Sequence, residues 1–182
     1  MDWQIDKTGL AGYKSPKWNE DKFIETKDNK YGIYLYNIDE ESMGAYYCNF
    51  ALLIDRFNPT VLVNSLQNRI YYSNGIFDYL SGLECLILKK IILNPVSHKR
   101  DFPFLLLRLK DKKFGFIQSD YSSIYYGLAE CGIDSVRLIE ESPTNLERFT
   151  NRTGEIFNFN ELQWFDFKYF DNSDKYYKKI IK

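Results

Sequence analysis

The sequence has very little of the residues that build the common metal and nucleotide sites. It contains one histidine, His98, and three cysteines without a CxxC pair, whereas a structural zinc site takes four His, Cys or acidic ligands at characteristic spacings. Neither GxGxxG nor GxxxxGK[ST] occurs, and these are the two commonest glycine-rich phosphate-binding loops. The sequence therefore predicts neither a metal nor a cofactor.

The chain also lacks an excess of charge of one sign and a long hydrophobic run. Lys plus Arg number 24 and Asp plus Glu number 25, so no strong positive field is present to hold a polyanion by counterion release. The most apolar runs, LECLILKKIIL and FPFLLLRLK, contain Lys or Arg and are shorter than the roughly 20 apolar residues of a spanning helix. Nucleic-acid binding is disfavoured, and no membrane span is predicted.

The cysteines and the N-terminus both predict a cytoplasmic protein. Cys48, Cys85 and Cys131 are odd in number and widely spaced, which favours reduced, mostly buried thiols over a disulfide framework. The first residues, MDWQIDK, lack the basic segment and apolar run of a secretory signal.

What the sequence does have is enough apolar and aromatic material for one β-rich core. Its 182 residues are 45% hydrophobic and 18% aromatic, with 15 Tyr and 14 Phe. This length suits a single hydrophobic core, and Tyr and Phe favour strands. We predict one globular domain over residues 1–182.

Two similar stretches, DNKYGIY from Asp28 and DKKFGFI from Asp111, predict the turns of two β-hairpins. Each follows an extended apolar segment and precedes a second one, and Asp and Asn favour turns. Gly32 and Gly115 leave side-chain gaps in the returning strands, which suits a bulge or a neighbouring aromatic ring lying across the strand.

The pentapeptides KYGIY and KFGFI in these stretches resemble the core of bacterial WG-type β-repeats. The two stretches begin 83 positions apart (111 minus 28), too far for a regular short repeat. We therefore do not predict a repeat protein.

The remaining runs predict further strands and a few short helices. GAYYCNFALLID is apolar on both faces, TVLVN is β-branched, and LECLILKKIIL reads as a strand with Lys89 and Lys90 at an irregularity. ELQWFDFKYF alternates like a last strand, whereas Ser142–Pro143 and Ser173 are placed to begin short helices. The predicted fold is mainly β (β-rich α+β): an antiparallel meander, sandwich or open barrel-like sheet with a few short helices.

A small hydrolase is one alternative that the residues leave open. His98 could act as a general base with Asp101 three residues away, although no GxSxG nucleophile motif accompanies them. The carboxylate groups at Asp39-Glu40-Glu41 and Glu140-Glu141 could supply glycosidic acid and base. Neighbouring carboxylates in loops are more typical of solvated charge, so we predict that the protein is not an enzyme.

The pattern favours a surface that binds a partner protein. Asp39, Glu40 and Glu41 precede the tyrosines Tyr46 and Tyr47, and exposed Tyr beside charge is typical of protein interfaces. A nucleic-acid stacking platform is a second alternative, but such platforms lie in a basic groove. These five residues are the predicted partner-binding site.

In its size, its richness in Asn, Lys, Ile and Tyr, its aromatic strands and its lack of a catalytic motif, the chain resembles the immunity proteins of bacterial toxin and immunity pairs. The resemblance is of general character over the whole length and specifies no site residues. It implies a cytoplasmic, non-enzymatic protein that neutralises a cognate toxin domain by occluding its active site.

Overall fold

The computed structural model describes most of the chain, and its backbone contacts divide the chain into two compact units. Unit 1 is Met1–Ser73 and unit 2 is Asn74–Lys182. The described residues are 22–26, 30–42, 45–54, 60–65, 70–72, 78–90, 92–93, 100–118, 126–140 and 154–180. The single domain over 1–182 stays a prediction.

The prediction of a mainly β, antiparallel fold is confirmed. In unit 1 the strands are β1 (Lys22–Glu25), β2 (Tyr31–Ser42), β3 (Ala45–Ile54), β4 (Thr60–Asn64) and β5 (Ile70–Tyr72). In unit 2 they are β6 (Asp78–Leu80), β7 (Cys85–Lys90), β8 (Ile92–Leu93), β9 (Arg100–Asp101), β10 (Phe104–Arg108), β11 (Lys113–Ile117), β12 (Tyr126–Glu130), β13 (Ser135–Glu140), β14 (Ile156–Asn158) and β15 (Trp164–Asp166). A 3-10 helix (Phe167–Asn172) and the helix α1 (Ser173–Ile180) complete the described elements.

Unit 1 is built on the long antiparallel pair β2 and β3. Strand β1 lies along the first part of β2, as the first predicted hairpin requires, and Thr26 closes it by bonding the backbone of Tyr31 through its side chain. The turn itself, at Asp28 and Asn29, lies outside the described residues. On the far edge of β3, β4 pairs with its second half and β5 with its first half.

Both faces of the β2–β3 pair are buried where the pairing is regular. Ile33 and Leu35 point to one face and Tyr34 and Tyr36 to the other, and all four are buried. The two tyrosine rings stack with their centres 5.8 Å apart. Because β3 is also apolar on both faces, as predicted, this half of the pair forms the centre of unit 1.

Unit 2 is arranged in three layers around the order β6–β7–β10–β11–β15. The small sheet β12–β13–β14 packs on one face, where Leu128, Val136 and Leu138 meet Ile87 and Leu106. On the other face the 3-10 helix and α1 pack aromatic side chains against β11. Strands covered on both faces read as continuous apolar runs, which accounts for LECLIL and FLLL.

The second predicted hairpin is confirmed as β10 and β11. Its glycine has the predicted role: a Cβ on Gly115 would lie 3.1 Å from the Trp164 ring and 3.1 Å from the carbonyl oxygen of Gln163. The indole therefore crosses β11 where a side chain is missing. The guanidinium of Arg108 lies over the same ring, 4.2 Å from its centre, and Arg108 also forms an ion pair with Asp111 of the turn.

Two sequence predictions at the C-terminal end are wrong in detail. Strand β15 ends at Asp166, and its predicted continuation through Phe167 and Tyr169 is 3-10 helix, because the Asp166 side chain caps that helix at the backbone amide of Lys168. Ser173 has helical dihedral angles and continues the 3-10 helix into α1, so it is not an N-cap. The helix predicted at Ser142–Pro143 lies outside the described residues.

Candidate partner-binding surface

The regular pairing of β2 with β3 is interrupted where the predicted site begins. Tyr36 lies opposite Asn49, but the next described pair is Asp39 opposite Tyr47, so β2 carries one extra residue there. Asn37 takes the left-handed conformation, with φ of 51°, which Asn adopts more readily than other non-glycine residues. Such a bulge bends a strand and re-aims the side chains beyond it.

A neutral polar network holds the bulge in place. The side-chain amide of Asn37 donates to Asn49 at 3.4 Å, and the Asn49 amide donates to the carbonyl oxygen of Ser65 at 2.5 Å. The backbone amide of Phe50 donates to the Ser65 hydroxyl at 2.7 Å. Asn49 and Ser65 are both buried, so each bond satisfies a group that water does not reach.

Beyond the bulge lies what we term the acid–tyrosine end, comprising 39–42 of β2, 45–47 of β3 and 70–72 of β5. Two rows of cross-strand neighbours cross these three strands: Asp39, Tyr47 and Tyr71 form one row, and Glu40, Tyr46 and Tyr72 form the other. A second irregularity between Glu40 and Ser42 makes Glu41 an extra residue in β2. All five predicted site residues are therefore brought together.

The exposure of this end is described for two of the five residues. Asp39 is exposed and Tyr47 is half-buried, and as direct cross-strand partners they point to the same face. For Glu40, Glu41 and Tyr46 the structure fixes the backbone position. Asp39 and Tyr47 therefore place a carboxylate and an aromatic ring side by side on adjacent strands. This combination is suited to binding a cationic protein surface.

The structure describes only some of the residues that the hydrolase alternative requires. His98 and Glu141 lie outside the described residues, and Glu140 is the last residue of β13, opposite Tyr126. Asp101, the suggested partner of His98, accepts a hydrogen bond from the Tyr177 hydroxyl at 3.2 Å. Burial, and to a smaller extent Asp101 itself, raises the pKa of Tyr177.

Sequence reasoning missed one charged cluster, in unit 2. Lys90 at the end of β7 is buried, and its Nζ lies 2.5 Å from Asp174 and 3.0 Å from the Ser173 hydroxyl. Burial lowers the pKa of Lys90, and the Asp174 carboxylate opposes that shift. The signal for the pair was faint, because its members stand more than 80 residues apart and each reads locally as surface charge.

A serine beside a buried lysine has the composition of a nucleophile and its base, but this pair is structural. Ser173 and Lys90 are 0% and 1% exposed, so a substrate has no access to either side chain. The buried thiol of Cys85 is also unsuited to nucleophilic chemistry, because burial raises its pKa and the thiolate is the reactive form. None of the three cysteines forms a disulfide, and Cys48 and Cys85 are buried, as the composition predicts.

Metal binding and membrane-crossing helices find no support among the described residues. No group of three or more His, Cys, Asp or Glu side chains is placed there to hold a metal ion. No helix in the same part of the chain has the length and apolar character needed to cross a membrane.

Comparisons with known proteins give no match. No protein-family model fits the chain, and neither the curated proteins nor the solved structures contain one that matches it. The function therefore has to be argued from the residues.

Proposed function

We propose that this protein is a non-enzymatic binding protein that neutralises a partner protein, a bacterial toxin, by covering the toxin's active site with the acid–tyrosine end of unit 1. The observation that carries the proposal is the cross-strand register that sets Asp39 beside Tyr47 and Glu40 beside Tyr46. A toxin that acts on nucleic acid needs a basic active site, and this surface is complementary to one.

The two kinds of side chain have different tasks in such a complex. The carboxylates accelerate the encounter, since complementary charge raises the association rate by about ten-fold or more at low salt. The tyrosines supply contact area at a small entropic cost, because a Tyr side chain has few rotatable bonds. The bulge at Asn37 and its buried amide network keep this end in one shape before binding.

The test begins with capture of the partner from the source organism by the tagged full-length chain, with a matched untagged control. The captured protein is then produced alone and assayed for toxicity, with and without the chain. A stoichiometric partner whose toxicity the chain abolishes supports the proposal. A partner that is harmless alone, or that stays toxic in the complex, contradicts it.

The site is tested by association kinetics with that partner. The triple variant Asp39→Ala, Glu40→Ala, Glu41→Ala should associate about ten-fold more slowly at low ionic strength and respond less to added salt. The control is Glu155→Ala, Glu161→Ala, Asp171→Ala, which removes the same charge from exposed positions in unit 2. Equal slowing in both variants would mean that total charge, not this surface, steers the encounter.

A further inference from the structure

Unit 2 carries a second surface, of opposite character, on its helical layer. The rings of Phe165, Tyr176 and Tyr169 follow one another, with centres 4.5 Å apart in the first pair and 5.8 Å in the second. The ammonium of Lys168 lies 5.0 Å from the centre of the Tyr169 ring, and that of Lys179 lies 5.0 Å from the Tyr176 ring. We name these five residues the lysine-capped aromatic surface.

The surface is open to solvent and held on a rigid base. Tyr169 is 44% exposed, Lys168 and Lys179 are exposed, and Phe165 and Tyr176 are half-buried. Behind them Phe114, which is fully buried, contacts Phe165 and Tyr176 with ring centres 5.5 Å and 5.9 Å apart. The rings of Phe165 and Tyr176 therefore pack on the central sheet of unit 2 and have little freedom to reorient.

Among the described residues, neither Lys168 nor Lys179 forms an ion pair. In the part of the chain that the structure describes, the ion pairs are Lys90 with Asp174, Arg108 with Asp111 and Lys113 with Asp111, and none includes Lys168 or Lys179. Nearby Asp166 and Asp174 are engaged in capping the 3-10 helix and in pairing with Lys90. Two oriented ammonium groups over aromatic rings thus lack carboxylate partners in this part of the chain.

We propose that the lysine-capped aromatic surface binds an acidic peptide segment of another protein, with carboxylates on the two ammonium groups and an apolar side chain against Tyr169. Charge complementarity identifies the ligand as an anion, and the rings between the charges call for apolar contact as well. This ligand has the opposite charge to the partner of the acid–tyrosine end, so this proposal and the proposed function stand or fall separately.

Single-stranded nucleic acid fits the surface less well. Its bases bind by stacking on open ring faces, whereas the ammonium groups already lie over the faces of Tyr169 and Tyr176. Its phosphate backbone requires a continuous basic groove, and Asp166, Asp171 and Asp174 interrupt the lysines of this segment. A carboxylate side chain needs to reach only one ammonium at a time, so it does not require a continuous basic groove.

The test measures fluorescence anisotropy of a labelled peptide, Glu-Asp-Phe-Glu-Asp, titrated with the full-length chain. We expect saturable binding that weakens with salt, and about ten-fold weaker binding by Lys168→Glu, Lys179→Glu. The charge-retaining Lys168→Arg, Lys179→Arg should bind within about two-fold of the wild type. The matched control Lys175→Glu changes an exposed lysine of α1 that lies over no ring of the described residues, and it should also stay within about two-fold of the wild type.

Four outcomes would overturn the proposal. The first is no binding of this peptide at millimolar chain. The second is equal weakening of binding by Lys179→Glu and Lys175→Glu as single variants. The third is tighter binding of a labelled ten-nucleotide oligo-dT than of the peptide, which would assign the surface to nucleic acid. The fourth is a sedimentation mass that rises with concentration in the wild type and not in Lys179→Glu, which would make a second copy the occupant. Unchanged near-ultraviolet circular dichroism confirms that each variant is folded.

Discussion

The two units solve the problem of buried polar groups in different ways. Unit 1 buries neutral groups, Asn49 and Ser65, and satisfies them within its own sheet beside a bulge. Unit 2 buries a charge, Lys90, and satisfies it with the first residues of its C-terminal helix. A neutral hydrogen-bonded network costs little to bury, whereas an isolated charge costs several kcal/mol by general estimates. The network in unit 1 therefore fixes the shape of one end of its sheet. In unit 2, the buried Lys90 makes the stability of the fold depend on α1, which is distant from it in the chain.

The largest expected effect is that of removing the carboxylate from Lys90. We expect Asp174→Asn to lower the free energy of unfolding by about 2 to 3 kcal/mol, below the 3 to 5 kcal/mol typical of breaking a fully buried pair, because Asp174 is partly exposed. The measurement is urea unfolding at neutral pH. Lys90→Met removes the charge itself and should cost less; a larger cost for Lys90→Met than for Asp174→Asn would contradict this account.

The same variant has a pH dependence of definite sign. Burial lowers the folded pKa of Lys90, so between that pKa and the ordinary lysine pKa the unfolded state binds more protons and stability rises with pH. Asp174→Asn removes the opposing carboxylate and lowers the folded pKa further. The deficit relative to the wild type should therefore shrink as pH rises toward the ordinary lysine value, and a constant deficit would show that Lys90 does not titrate in this range.

Hydrogen exchange of the Asp174→Asn variant also tests the comparison between the units. The sequence predicts one domain over 1–182, and a single cooperative domain would lose protection in β3 as well as in β7. Faster exchange confined to peptides of unit 2 would instead show that the two units unfold separately.

What could be read from the sequence was set by local patterns. The two hairpins, the both-face burial of β3 and the gap at Gly115 follow from alternation, turn residues and the missing side chain. The extended prediction past Asp166 failed because Phe167 and Tyr169 also suit a helix that packs on a sheet, and the capping side chain decided between them. Alternation, turn residues and helix caps all involve residues close together in the chain, so they can be recognised in the sequence without the structure.

The contacts that could not be read join residues far apart in the chain. The ion pair of Lys90 with Asp174 depends on α1 lying over β7, which no local pattern encodes. The neighbours of Asp39 and Glu40 depend on the register of β2 with β3, and the bulge at Asn37 shifts that register by one residue. The predicted residues of the acid–tyrosine end do come together, but the two rows they form became visible only through the pairing.

The next effect in size concerns the neutral network of unit 1. Asn49→Ala removes the donor to the Ser65 carbonyl oxygen and the acceptor for Asn37, and we expect a loss of about 1 to 2 kcal/mol in the free energy of unfolding. Urea unfolding measures the loss. Tyr36→Phe, which removes a hydroxyl that donates to the half-buried Asn64, is the milder control and should cost about 1 kcal/mol or less. A loss above that of Asp174→Asn would reverse the ranking of the two units.

The smallest effect compares one strained backbone position in each unit. Lys112, in the turn between β10 and β11, and Asn37, in the bulge of β2, have φ of 56° and 51°. Lys112 is exposed, so Lys112→Gly removes the left-handed penalty and should stabilise the fold by about 0.5 kcal/mol, after the entropic cost of glycine. Asn tolerates this conformation, and Asn37 also donates to Asn49, so Asn37→Gly should be neutral or destabilising by about 0.5 kcal/mol.

Urea unfolding measures both changes in the free energy of unfolding. Changes of opposite sign would show that unit 1 uses its left-handed residue for a side-chain contact and unit 2 for chain reversal alone. Equal stabilisation by both glycines would mean that the Asn37 amide contributes nothing to the bulge, and the bulge would then owe its shape to the pairing of the strands on either side of it.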